Sequence, residues 1–307
     1  MSIWFKNLSI FTLDPGLKLS PGKLEETLSA HPLVPCSAAS MQSQGWVAPL
    51  PSSGLVYNQG KQMLLALGTQ QRLLPASVIN QVAKERAAAL EKKQGFAPGR
   101  KQLRELKDRV ADELRPRAFV REKTVRAWLD LEQHRLVVDT ASPKVAENLA
   151  SVLRNDLGEL DAVPLETQKS PAAAMTAWLA SGRVSAKFGL DQDCELVGDA
   201  LSKAAVRYVR HGLDGAEIRS LISGGKSASR VGLVWRDRIA LVLTDKLALK
   251  RLRFEAIEAK QQEEAAAGSR RAKEEEDQSD ADFTLMTGEL TALMDDLIAG
   301  LGGLKRA

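Results

Sequence analysis

Residues 100–123 read RKQLRELKDRVADELRPRAFVREK, and a change of pattern inside them decides the fold. Up to Leu114 the apolar positions Leu103, Leu106, Val110 and Leu114 recur at spacings of three and four, which predicts an amphipathic helix. Beyond Arg117 the period shortens. TVRAWLDL (124–131) and RLVVDT (135–140) predict paired strands joined at Glu132 to His134. Upstream, PASVINQVAKERAAALEKK (75–93) is rich in helix formers, and Gly95, Pro98 and Gly99 separate it from the first helix. Two helices joined by a short Gly/Pro loop make an antiparallel hairpin. One narrow apolar stripe can pack only against the sister helix, so the hairpin is expected to project from the body. Its other faces carry Lys92, Lys93, Arg100, Lys101, Arg104 and Lys107. At its root Phe119 stands among Arg115, Arg117, Arg121 and Lys123, so one large apolar ring sits in a cationic setting.

Outward from the hairpin, IWFKNLSIFTL (3–13), GWVAPL (45–50) and QMLLALGTQQRLLP (62–75) predict strands, the last with Gly68 as a candidate break. LSPGKLEETLSA (19–30) and SPKVAENLASVLRNDLG (142–158) predict helices with Ser20 and Ser142 as N-caps and a proline after each. The second half opens with a helix at PAAAMTAWLASG (171–182). Strands at 194–199 and 204–212, a short helix at 214–225 and a three-strand meander over 229–254 follow. On an ideal strand Tyr208 and Arg210 would share a face and Arg207 would take the other. Residues 259–280 are charged and Ala/Gln-rich, fitting a connector. Phe283, Leu285, Met286, Leu290, Leu293, Met294, Leu297 and Ile298 stripe a final helix. The fold class is α+β, with mostly antiparallel sheets. The expected units are a discontinuous central domain (1–75 and 118–168), the hairpin tip (76–117) and a C-terminal base domain (169–307).

Net charge is only +4, but it is segregated. Lys84–Arg126 holds 14 basic against 7 acidic residues, and Lys203–Arg253 holds 12 against 4. Glu255–Asp296 is acidic, with 13 acidic residues against 4 basic. Two separated positive blocks are what an anion-binding surface needs, unless folding interleaves them with the acids.

Catalytic readings fail on their own terms. SGGKSAS (223–229) has Ser220 where a phosphate loop needs glycine. Asp295 and Asp296, adjacent on a helix, point in different directions, and two-metal sites need convergent carboxylates. His31, His134 and His211 have no nucleophile in a recognisable elbow, and Cys36 with Cys194 makes neither a disulfide framework nor a thiol metal site. No cofactor and no enzymatic activity are expected. The first residues lack a signal-peptide pattern and no apolar run reaches membrane-spanning length, so a cytoplasmic protein with no membrane partner is expected. Lysines and arginines without base-reading motifs suit sequence-independent contacts to the phosphates of duplex DNA. The competing readings are a cationic surface for acidic proteins and, behind it, a DNA-processing enzyme.

WFKNL (4–8), GWVAP (45–49), LLP (73–75), LRPRAF (114–119), LKRLRF (249–254) and DADFTLMTGEL (280–290), in that order, resemble the bacterial recombination-associated RdgC family over essentially the whole chain. The resemblance implies a ring-shaped homodimer that encloses duplex DNA, nucleoid association, and inhibition of RecA-promoted strand exchange. It also implies that Phe119 is the contact between subunits that closes the ring. The alternative is that Phe119 packs inside its own subunit. The expected DNA contacts are Lys92, Lys93, Arg100, Lys101 and Arg104 from the hairpin, Arg117 from the family motif, and Arg210 from the second basic block.

Overall fold

The computed structural model describes residues 3–51, 53–185, 187–198, 204–213, 215–255 and 274–305. Its first sheet is built from β1 (Ser9–Leu13), β2 (Gln42–Val47), β3 (Val56–Gln59), β4 (Gln62–Leu73), β5 (Phe119–Asp130), β6 (Arg135–Val138) and β7 (Ala162–Pro164). The order is β2-β4-β5-β6-β1-β7, with β3 also on β4. The second sheet contains β8 (Phe188–Val197), β9 (Ala205–Tyr208), β10 (Ser227–Trp235), β11 (Ile239–Thr244) and β12 (Leu249–Phe254), ordered β12-β11-β10-β8-β9. The described strand pairs are all antiparallel. The α+β expectation is therefore met.

Alternation along β4 explains the layers. Met63, Leu65 and Leu67 face one side, where α1 (Pro21–Ser29) and α4 (Pro143–Leu157) cover them through Leu24, Leu28, Leu149 and Leu153. Leu64, with Trp128 and Val137, faces a larger core shared with α5 (Pro171–Ser181), α6 (Ala216–Ser223), the second sheet and the final helix α7 (Glu274–Gly300). Helix α7 ties the two sheets together. Seven of its eight predicted stripe residues are buried, and Leu285 is the exception at 53% exposed. Asp295 reaches Arg135 of the first sheet at 2.7 Å, while Asp296 accepts from Trp235 and Arg236 beside the second, at 3.0 and 2.8 Å. The adjacent carboxylates do point apart, and each holds α7 to a different sheet.

Burial pushes the Asp296 carboxyl up, but hydrogen bonds from Lys187, Trp235 and Arg236 outweigh it and hold the group below the ordinary aspartate value. A carboxylate depressed on folding stabilises above its unfolded pKa, about 3.9, and loses that contribution as pH falls through the folded value. Asp296→Asn is expected to lower stability by about 1–2 kcal/mol at neutral pH. In thermal melts the difference from wild type should shrink below about pH 4.

Several boundaries differ from the sequence reading. Strand β4 runs unbroken through Gly68, which pairs with Gly45 and Thr124. A Cβ there would lie 2.8 Å from Leu33 and 2.9 Å from Val47, so this glycine allows close packing and does not break the strand. Strands β3 and β7 are short and were not anticipated, because four and three residues carry too little periodicity. Residues 259–273 of the anticipated connector lie outside the described residues; its last residues begin α7.

Candidate nucleic-acid interface

The hairpin grows from the longest ribbon of the fold. Strands β4 and β5 pair from Gln62↔Asp130 to Leu73↔Phe119 and then hand over to α2 (Ala76–Gln94) and α3 (Arg100–Leu114). Only Ala83 on α2 and Val110 on α3 are fully buried, and Arg86 pairs with Glu113 at 2.7 Å across the hairpin. The helices touch each other and little else, as the single stripe requires. Gly95 ends α2 in the left-handed conformation (φ 79°), and Gln102 accepts the Gly99 backbone N–H at 3.1 Å to start α3.

Lys92, Lys93, Arg100, Lys101 and Arg104 are all exposed around the turn between these helices. None has a carboxylate at ion-pair distance among the described residues. Lys92 and Lys93 lie in the last turn of α2, where the carbonyl end of the helix favours cations, so they have a structural rationale. Arg100 and Lys101 do not. They begin α3, whose first turn contains no acid, and a helix N-terminus repels positive charge. Their placement makes sense if an anion lies outside the protein.

Arg117 and Phe119 sit at the root, about 22 Å from the tip along the 15 residues of α3. Arg117 is exposed, and Phe119 is 84% exposed. Packing of Phe119 inside its own subunit is therefore excluded. Leu73 and Val120, 44% and 42% exposed, flank it in the ribbon. The residue that sets this root is Arg72, which the sequence reading passed over. Its Nη1 donates to the carbonyls of Arg115 and Pro116 at 3.0 and 3.2 Å, and its Nη2 to those of Cys36 and Ser37 at 3.1 and 3.3 Å. It satisfies carbonyls of the 3-10 turn (Arg115–Arg117) that closes α3, and so fixes where Arg117 and Phe119 emerge. An arginine one residue before a strand end carries no sequence signal of that role.

Arg210 is elsewhere, beyond β9 beside the second sheet, and is exposed. It does not share a strand face with Tyr208. The strand stops at Tyr208, and Arg210, two residues beyond it, takes the left-handed conformation (φ 53°) outside the ladder. The seven expected contacts thus occupy three places in one chain: the tip, the root and the second sheet.

The two basic blocks fare differently on folding. In the second, Arg207 and Arg230 pair with Glu195, Arg236 with Asp296, Arg238 with Glu289, Arg251 with Asp193 and Arg253 with Asp191. All five carboxylates come from outside Lys203–Arg253, so that block's excess of eight positive charges falls by five, to three. Lys203 lies outside the described residues. In the first block only Arg126 finds an outside acid among the described residues, Asp139, so its excess of seven falls by one, to six. Folding interleaves the second block and leaves the hairpin bare. Among the described residues no three or more His, Cys, Asp or Glu side chains are grouped to hold a metal ion, and no helix is long and apolar enough to cross a membrane.

The described residues thus form an α+β protein with two antiparallel sheets and a cationic helical hairpin that carries an exposed aromatic at its root. The chain belongs to the RdgC family, whose model, described as "Putative exonuclease, RdgC", matches residues 3–304. It is 44% identical to the "Recombination-associated protein RdgC" of Dechloromonas aromatica (98% of each chain). It is 43% identical to the protein of that name from Cupriavidus pinatubonensis (99% of this chain, 100% of the relative).

Proposed function

We propose that the chain binds duplex DNA through backbone phosphates without reading sequence, as a ring-shaped homodimer that encloses the duplex. By occupying DNA it restrains RecA-promoted strand exchange, acting at the nucleoid by binding and not by cleavage. The observation that carries this reading is the hairpin's unneutralised charge, held away from the body on two helices that bury almost nothing else. The relatives' names, which place them in recombination, support DNA as the polyanion. In this reading residues 1–75 with 118–168, 76–117 and 169–307 act as central, tip and base units, with Phe119 on the partner subunit.

Binding measured on linear duplexes of unrelated sequence and on closed circles, across a salt series, tests it. Affinity should be equal across sequences and fall by about 10³-fold or more between 50 and 200 mM salt. Complexes on circles should outlast those on open ends. Strong sequence preference or a shallow slope would overturn the reading in favour of an acidic protein partner. Degradation of the duplex with magnesium would overturn the non-catalytic part.

A further inference from the structure

The open face of the second sheet contains two backbone irregularities that meet at one carboxylate. Between the pairs Val231↔Cys194 and Leu233↔Leu190, β8 carries two more residues than β10, so Asp191–Asp193 bulges from the sheet. Gly232 permits this: a Cβ there would lie 3.1 Å from the Asp191 Cβ and 3.2 Å from the Asp193 carbonyl oxygen. Strand β12 has one extra residue between its pairs with Ala240 and Val242, and within that bulge Arg251 adopts φ 53°. Asp193 binds two non-glycine residues that are left-handed, Arg210 and Arg251. Its Oδ1 accepts the Arg210 backbone N–H at 3.1 Å, and its Oδ2 lies 3.3 Å from Arg251 Nη2. Asn7 accepts the Arg251 backbone N–H at 3.3 Å, and the Gln192 carbonyl accepts that of His211 at 3.0 Å. A glycine would take these conformations without steric cost, so retaining arginine at both points to the side chains.

The layering of charge is consistent with that. The Arg251 and Arg253 side chains are 66% and 60% exposed, whereas their partners Asp193 and Asp191 are 23% and 27% exposed. The carboxylates lie beneath and the guanidiniums above. Asp193 and Arg251 border a groove of about 320 Å³ whose charged lining is completed by Glu195, Arg207, Arg230 and Lys250, four cations to two anions. Cys194, with its thiol pushed up to about 11 by burial and by Asp193, adds no reactivity there.

The geometry points to this groove as a phosphodiester-binding subsite, in which Arg251 and Lys250 contact backbone phosphates and Asp193 is a positioning residue for Arg251 and Arg210. A guanidinium already paired with a carboxylate keeps N–H donors for the paired oxygens of a phosphate, and the pairing restricts its orientation before the ligand arrives. The inference rests on the duplex-binding reading and extends it from the hairpin to the second sheet.

The test is chosen because charge alone predicts the opposite sign. Removing an anion from a DNA-binding surface should tighten binding, whereas loss of a positioning residue should weaken it. In the full chain, Asp193→Ala should bind duplex about five- to tenfold more weakly. Arg251→Gly should melt no lower than wild type, because the left-handed conformation suits glycine. It should also bind about tenfold more weakly, with the salt slope reduced by about one. In the Arg251→Gly background, Asp193→Ala should have a smaller effect than alone. Asp193→Ala binding as tightly as wild type or tighter, or Arg251→Gly with unchanged affinity and slope, would overturn the subsite while leaving the duplex reading intact. Absence of salt-sensitive duplex binding by the wild type would overturn both.

Discussion

Phe119→Ala is expected to melt where the wild type melts and to bind duplex DNA about 30-fold more weakly. The first half follows from exposure. At 84% exposed, the ring contributes almost nothing to its own chain's core, and surface substitutions of that kind change stability by about 0.5 kcal/mol or less. The second half follows from what such a ring does against another surface. It heads an apolar patch with Leu73 and Val120, on a root that Arg72 fixes through five backbone carbonyls. A rigidly presented aromatic in a polar setting has the character of an interface anchor, and truncating one costs about 2 kcal/mol or more, which is about 30-fold in affinity. On the proposed reading of Phe119 as a contact between two copies, equilibrium sedimentation should show weakened self-association in parallel, and Phe119→Leu should restore part of both properties. Unchanged self-association and unchanged DNA affinity would show that the exposed ring is not an interface anchor.

How much of this was legible in the sequence depends on the range of the forces involved. Helices α2, α3, α4 and α7 announce themselves through periodicity and terminal glycines or prolines, which act within a few residues, and they appear close to where the pattern puts them. The meander over β10–β12 is legible for the same reason: Arg236 and Asp237 turn one corner, and Asp245 with Lys246 leads into the other. What the pattern could not carry was pairing across long separations. The full length of β5 is one example. Its first six residues, Phe119–Thr124, are all exposed and half of them charged, so they resemble a loop, and only pairing with the opposite residues of β4 makes them a strand.

The site was legible in the same uneven way. Hairpin cations could be named because a segment whose neighbours in sequence are its only neighbours in space keeps its local charge after folding. The second basic block could not be read so directly. Glu195 reaches Arg207 and Arg230, and Asp191 and Asp193 reach Arg253 and Arg251, only through the sheet and its bulges. Arg210 enters by charge alone, and its left-handed backbone, whose N–H Asp193 accepts, depends on a bulge that no local pattern in the sequence announces.

The largest effect is expected from the tip. Replacing Lys92, Lys93, Arg100, Lys101 and Arg104 together with glutamine removes five positive charges while keeping an unbranched polar side chain and helix propensity. If each contacts a phosphate, the log–log salt slope should fall by about four to five, since each contact on duplex DNA contributes about 0.9. Extrapolated from high salt, that is about a 10⁴-fold loss of affinity near 0.1 M. The helices should survive the change. Losing Lys92 and Lys93 removes a favourable charge–dipole contact at the end of α2, about 0.3–1 kcal/mol, but losing Arg100 and Lys101 removes repulsion of similar size at the start of α3. The two effects offset each other, so circular dichroism and melting should stay close to wild type. That separates loss of binding from loss of fold. Single substitutions should each lower the slope by about one and weaken all duplex sequences alike, because phosphate contacts carry no base information. If the fivefold variant instead binds duplex with an unchanged slope, the hairpin lies clear of the DNA. Its charge must then serve a different anionic surface, for which acidic proteins are the first candidates to test.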